Sequence, residues 1–150
     1  MANYCRSRYP AAKITYMSTK KLANLFIIED TVADRTMLTD YLSKYPAVTV
    51  KGFYTGDACI KDIINGKAVQ PDLILMDFFL DASFASKRDG LETLDKIKEI
   101  SPDTEVIMFT SVENPRIMDL AKQKGALDYI VKGKDSFQKL DAILEKYFSF

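Results

Sequence analysis

From residue 23 onward, short apolar runs alternate with helical stripes along the chain, and this constrains the fold more than any other feature. Ala23–Ile28 is an apolar run of the kind expected for a strand covered on both faces. Leu38, Tyr41, Leu42 and Tyr45 fall at i, i+3, i+4 and i+7, one face of a helix that stops before Pro46. Val48–Phe53 alternates apolar with polar and predicts a more exposed strand, and Asp57–Lys67 carries Ile60, Ile63 and Ile64 on one helical face. After Pro71, Asp72–Met76 predicts a third strand. Leu91, Leu94, Ile97 and Ile100 stripe a third helix stopped at Pro102. Glu105–Phe109 is a fourth strand. Pro115–Lys124 is a helix with Pro115 in its first turn and Gly125 just past its end. Asp128–Val131 is a fifth strand. The last helix starts near Asp135, an N-cap with Gln138 three residues on, and buries Phe137, Leu140, Ile143, Leu144 and Tyr147. Strands and helices in strict alternation predict an α/β fold: one five-stranded parallel sheet with helices on both faces.

The apolar runs end in reactive groups. Leu25–Ile28 leads into Glu29 and Asp30, and Leu73–Met76 leads into Asp77. Val106–Phe109 leads into Thr110 and Ser111, and Tyr129–Val131 into Lys132. A buried strand gains nothing by ending in acid, and the ligand crevice of an open parallel sheet lies outside the carboxyl ends of its strands. In the strand order 2-1-3-4-5 the first and third strands are neighbours, which brings Asp77 beside Glu29 and Asp30. Three carboxylates so close repel one another, and a divalent cation relieves that repulsion. The chain has no histidine, and its two cysteines, Cys5 and Cys59, make no metal or redox spacing. The remaining ligands are all oxygen, so Mg²⁺ is the expected ion. Such a site suits phosphoryl transfer, with Asp77 as nucleophile, Lys132 as a positive charge for phosphoryl oxygens and Thr110 as a hydroxyl donor. Each residue also has a plainer reading: Glu29 and Asp30 as helix-capping acids, Thr110 and Ser111 as a cap, Lys132 as a solvated lysine, Tyr129 as packing.

With 150 residues the chain is expected to form one domain. Its 21 basic and 21 acidic side chains cancel, so no global field draws it to nucleic acid. No apolar stretch is long enough for a bilayer and no signal core is visible, so a cytoplasmic place is expected. Residues 1–22 lack a sustained period and are expected to be a flexible extension, with residues 23–150 the domain and Met17 an alternative natural start. The 18 residues after Lys132 suffice for one helix and no output domain.

Residues 23–150 resemble a response-regulator receiver domain, the phosphoacceptor module of two-component signalling, in a stand-alone, chemotaxis-regulator-like form. The resemblance rests on Ile28-Glu29-Asp30, Leu75-Met76-Asp77, Phe109-Thr110-Ser111 and the run Gly125–Lys132, in that order and spacing. It implies a flavodoxin-like fold and no classical enzyme activity. Glu29 and Asp30 hold Mg²⁺, Asp30 directly, with Asp77 and the backbone carbonyl of Phe79. Asp77 takes the phosphoryl group from a sensor histidine kinase or phosphotransfer protein. Thr110 and Tyr129 form the switch pair. Output passes to a downstream protein partner or through a homodimer interface around the fourth helix, fifth strand and fifth helix, with no direct nucleic-acid or membrane contact.

Two departures stand out. Gly133 follows Lys132 where the family usually has proline, which should loosen that loop. The stretch from Asp77 to Gly90 is longer than usual, and its extra residues, around Asp81–Arg88, are expected to form a flap or partner-contact loop, with Asp81 and Asp89 solvated. The apolar side chains of Phe79 and Val112 sit where the family controls water access, so slow self-dephosphorylation is expected. The competing readings are a phosphorylation-independent interaction module of the same fold and a small-ligand enzyme. The second is disfavoured because Glu29-Asp30-Thr31 stands where a glycine-rich phosphate loop would be.

Overall fold

The computed structural model describes residues 19–66, 69–79 and 89–150. The chain order is β1 (Lys20–Lys21), β2 (Asn24–Ile28), α1 (Val32–Leu42), β3 (Thr49–Phe53), α2 (Gly56–Asn65), β4 (Leu73–Met76), α3 (Gly90–Ile100), β5 (Glu105–Thr110), α4 (Pro115–Gln123), β6 (Asp128–Val131), α5 (Ser136–Tyr147) and β7 (Phe148–Ser149). Five strands form one parallel sheet in the order β3-β2-β4-β5-β6. Counted without the short first strand, this is the expected 2-1-3-4-5 order.

Each face of the sheet has its own core. Phe26, Ile28, Ile74, Met76, Val106 and Met108 point to the side covered by α2, α3 and α4. Leu25, Ile27, Leu73, Leu75, Ile107 and Phe109 point to the side covered by α1 and α5. Alternate residues of one strand thus serve opposite cores, and the runs are apolar throughout because neither face meets water. The edge strand β3 is buried only at Phe53, in keeping with its alternating sequence.

Residues 20–22 do not belong to an extension. Lys20 and Lys21 pair in parallel with Phe148 and Ser149, and Leu22 is buried in the α1/α5 core. Asp72 Oδ2 accepts the backbone N–H groups of Ala23 and Asn24, both at 2.9 Å, which ties this entry strand to the start of β4. Residues 1–18, including the alternative start at Met17, lie outside the described residues, as does the expected flap, 81–88.

Two local expectations are corrected. Asp135 precedes α5 but makes no side-chain cap; its backbone is not extended, at φ −103° and ψ 7°. Ser136 closes that turn instead, its N–H and Oγ both donating to the carbonyl of Gly133 at 3.1 and 2.7 Å. The Gly133 carbonyl is therefore held twice, and the turn has a defined closure without proline. Asp89 is not simply solvated, for its Oδ1 accepts the Glu92 N–H at 2.9 Å and caps α3.

Candidate functional site

The carboxyl ends of β2, β4, β5 and β6 carry the site. Ile28 and Met76 are register partners, so the next residues, Glu29 and Asp77, leave the sheet side by side. The backbone continues the ladder by one step: Asp77 N–H donates to the Ile28 carbonyl at 3.0 Å, and Glu29 N–H to the Phe53 carbonyl at 3.0 Å. At the far side Lys132 N–H donates to the Thr110 carbonyl at 2.8 Å, which carries the lysine beyond the end of β6.

Lys132 reaches back across the sheet edge. Its Nζ donates to Glu29 Oε2 at 2.7 Å, Asp34 Oδ2 at 2.8 Å and Asp77 Oδ2 at 3.0 Å. Burial works against its charge, but the bonds to Asp34, Glu29 and Asp77 outweigh that and hold its pKa above the ordinary lysine range. Glu29 is buried, and burial raises its carboxyl pKa despite the Lys132 ammonium and the Thr31 N–H, which donates to Oε1 at 3.0 Å. The acceptor oxygens of Asp77 are divided. Oδ2 faces Lys132, while Oδ1 takes the Phe78 N–H at 2.6 Å and the Phe79 N–H at 3.4 Å.

Asp30 lies next to Glu29 at the mouth, where Thr31 Oγ1 donates to its Oδ1 at 3.4 Å. Thr31 occupies the N-cap position of α1 without a side-chain cap bond, so neither Glu29 nor Asp30 is the cap of that helix. Phe78 packs against the core below the site, whereas the Phe79 ring is exposed and meets Phe78 edge-on at 5.2 Å between centroids. Gly90 holds this loop close: a Cβ there would lie 2.7 Å from Phe78 Cα and 3.0 Å from the Asp77 carbonyl oxygen.

Thr110 is fully buried, and its Oγ1 accepts the Val112 N–H at 3.3 Å; the cap of α4 is Asn114, which accepts Arg116 N–H. Tyr129 is buried, and its hydroxyl donates to the Val112 carbonyl at 2.8 Å. Burial and then the nearby Asp77 charge raise its phenol pKa.

Glu29, Asp77 and Lys132 are thus in direct contact. Thr110 and Tyr129 meet one step away, on the peptide of Val112. Two participants were not foreseen. Asp34 sits in the first turn of α1 and ranks with Glu29 as a partner of Lys132. Arg35 donates to the Glu29 carbonyl at 2.6 Å and stacks over Tyr54, with its guanidinium carbon 3.8 Å from the ring centroid. Both fall on the polar side of a helix, where the only available signal was an acid–base pair one turn past Glu29 and Asp30. Among the described residues, no group of three histidine, cysteine or acidic side chains is gathered so as to hold a metal ion, and no helix is long and apolar enough to cross a membrane.

Comparison with known proteins agrees with this fold. A solved N-terminal domain of a response regulator/sensory box/GGDEF three-domain protein from Carboxydothermus hydrogenoformans is 29% identical, with a TM-score of 0.68 over 83% of this chain and 92% of that one. The phosphorylated cyanobacterial phytochrome response regulator RcpA shares the fold, at a TM-score of 0.70 and 23% identity over 84% of this chain and 94% of that one. Among curated relatives, the probable C4-dicarboxylate response regulator DctR of Halalkalibacterium halodurans is 28% identical over 87% of this chain and 54% of its own length. The nitrate/nitrite response regulator protein NarL of Escherichia coli is 28% identical over 85% of this chain and 56% of its own. The chain spans about half the length of these curated relatives. The family described as response regulator receiver domain matches residues 25–145, and the chain belongs to that family.

Proposed function

We propose that this receiver domain takes a phosphoryl group onto Asp77 and thereby controls a protein partner. The observation that carries the reading is the shared contact of Lys132 with Glu29 and Asp77 at one sheet edge. A carboxylate oxygen of Asp77 bonds to phosphorus while the bond from phosphorus to its donor breaks; a phosphohistidine of a sensor kinase or phosphotransfer protein would supply the group and recover its imidazole. Lys132 then neutralises phosphoryl oxygens, and the Thr110 hydroxyl is one residue type suited to donate to another.

The donor set favours a magnesium ion. Three carboxylates share one ammonium, which leaves an excess of negative charge that repels an incoming phosphoryl group. The chemistry of Asp30, Asp77, Glu29 and the Phe79 carbonyl, though not their present spacing, suits the ion: all are oxygen ligands of the hard kind Mg²⁺ prefers. Bound there, the ion would supply the missing positive charge. Thr110 and Tyr129 would form the switch, with output through a downstream protein or a second copy of the chain in the cytoplasm.

The test is incubation of the full chain with acetyl phosphate and Mg²⁺, followed by intact-mass analysis. One phosphoryl adduct is expected on the wild type and none on Asp77→Asn. An adduct of normal stoichiometry on Asp77→Asn would place the acceptor elsewhere. A wild type that takes no phosphoryl group at all would favour a phosphorylation-independent interaction module.

A further inference from the structure

The Lys132 ammonium carries three N–H donors, and all three are taken, by Glu29, Asp34 and Asp77. On the phosphoacceptor reading, which this inference deepens, a phosphoryl oxygen can bond to Lys132 only if one of the three carboxylates gives up its donor. They are not equally able to do so. The side chains are 2% exposed for Glu29, 11% for Asp77 and 36% for Asp34. Stripping the ammonium from Glu29 would strand a buried charge, which is costly. Asp77 is the group that carries the phosphoryl itself and keeps Lys132 close. Asp34 alone can turn to water at little cost.

We propose that Asp34 is a positioning residue that occupies the third donor of Lys132 until a phosphoryl oxygen replaces it. It acts as a placeholder. It keeps the ammonium aimed at the sheet edge in the absence of phosphate, and it must be displaced for the phosphorylated state to form. Asp34 therefore opposes phosphoryl binding while it increases the negative charge that attracts a cation. Deleting its charge shifts the two affinities in opposite directions, which general damage to the site would not do.

The experiment uses the full chain, with beryllofluoride as the phosphoryl mimic and Mg²⁺ as the cation, each followed by thermal shift and intrinsic tyrosine fluorescence. With Mg²⁺ saturating, Asp34→Asn is expected to bind beryllofluoride about three- to five-fold tighter than wild type, the scale of one partly exposed ion pair. Without beryllofluoride, Mg²⁺ is expected to bind the same variant more weakly. Asp34→Ala should repeat both shifts. Asp40→Asn removes an acid from the same helix without touching Lys132 and should move neither constant. An unchanged beryllofluoride constant in Asp34→Asn, a weakening of both ligands together, or an equal shift in Asp40→Asn would each overturn the placeholder role. A wild type that binds no beryllofluoride would instead sink the phosphoacceptor reading on which it stands.

Discussion

Replacing Lys132 by methionine keeps an unbranched side chain of similar length and deletes the ammonium, so it isolates the charge at the centre of the site. Three carboxylates lose a shared partner, but unequally. Asp34 is open enough for water to take over. Asp77 keeps the Phe78 N–H. Glu29, almost wholly buried, keeps the Thr31 N–H as its one partner among the described residues. Removing one partner of a buried pair costs about 3–5 kcal/mol; because Lys132 is itself partly exposed, we expect about 2–3 kcal/mol in metal-free buffer at neutral pH. For a chain of 150 residues that lowers Tm by roughly 4–12 °C. The pH dependence gives a sharper check. Burial already raises the Glu29 pKa, and the bond and charge of Lys132 oppose that rise. Without Lys132 it climbs further. A group whose folded pKa exceeds its unfolded value contributes stability below the unfolded value and loses it as pH rises through the folded one. The variant's deficit is thus greatest near neutrality and shrinks on acidification toward the ordinary glutamate value of 4.5. Differential scanning calorimetry of both proteins in EDTA, from about pH 7.5 down to about pH 5, reads this directly. A deficit that stays constant over that range, or no deficit at neutral pH, would refute the assignment of Glu29 as the buried charge that Lys132 neutralises.

Gly90→Ala drives a Cβ against Phe78 Cα and the Asp77 carbonyl, so it should cost about 1–3 kcal/mol and slow acetyl phosphate incorporation as the loop after Asp77 shifts. Gly133→Ala should stabilise by about 0.4–1 kcal/mol in chemical denaturation, because a Cβ there meets open space and the residue has no positive φ. Asp141→Asn removes the acceptor shared by the Tyr41 and Tyr45 hydroxyls and the Lys44 ammonium, which joins α1 to α5, and should cost about 1 kcal/mol. Burial raises the Asp141 pKa, but its bonds to Lys44, Tyr41 and Tyr45 prevail and hold it below the ordinary value, so its contribution is present above the unfolded pKa and fades as pH falls through the folded one. Denaturation midpoints that differ from wild type by the same amount in acid and at neutrality would contradict that.

The sheet was legible because its strands are buried on both sides. Short unbroken apolar runs such as Leu73–Met76 mark strands covered on both faces, and the polar residue after each run marks where the strand emerges. The mini-sheet of β1 and β7 was not legible, since Lys20 and Lys21 carry no apolar signal and their partner lies at the other end of the chain. The α5 start was misread because Asp135 and Gln138 match a capping box by type, while Ser136 satisfies the Gly133 carbonyl locally and leaves Asp135 outside the required extended conformation. At the site, Glu29, Asp77 and Lys132 stood at strand ends and could be placed by topology alone. Asp34 and Arg35 could not, because a polar residue on a helix has no strand end to mark it; only the crossing of Lys132 over the sheet edge shows which acid it reaches.

The contacts around Val112 bear on how such a site could speak to the surface. Its peptide is gripped from two sides: Thr110 Oγ1 accepts its N–H at 3.3 Å, and the Tyr129 hydroxyl donates to its carbonyl at 2.8 Å. The longer bond belongs to the residue nearer the site. A phosphoryl oxygen that draws the Thr110 hydroxyl toward Asp77 would release the Val112 N–H while the Tyr129 bond still holds the carbonyl. The Val112 peptide would then be held through the Tyr129 hydroxyl on its carbonyl side. Continuity of contacts is not in itself coupling; that requires two arrangements which the ligand stabilises unequally. Here the two arrangements differ in where the Thr110 hydroxyl sits. In one its lone pair accepts the Val112 N–H; in the other its proton goes to a phosphoryl oxygen, and the side-chain displacement lengthens the already long Val112 bond until it breaks. That displacement, rather than distance from Asp77, is what would let a charge at the sheet edge reposition the start of α4.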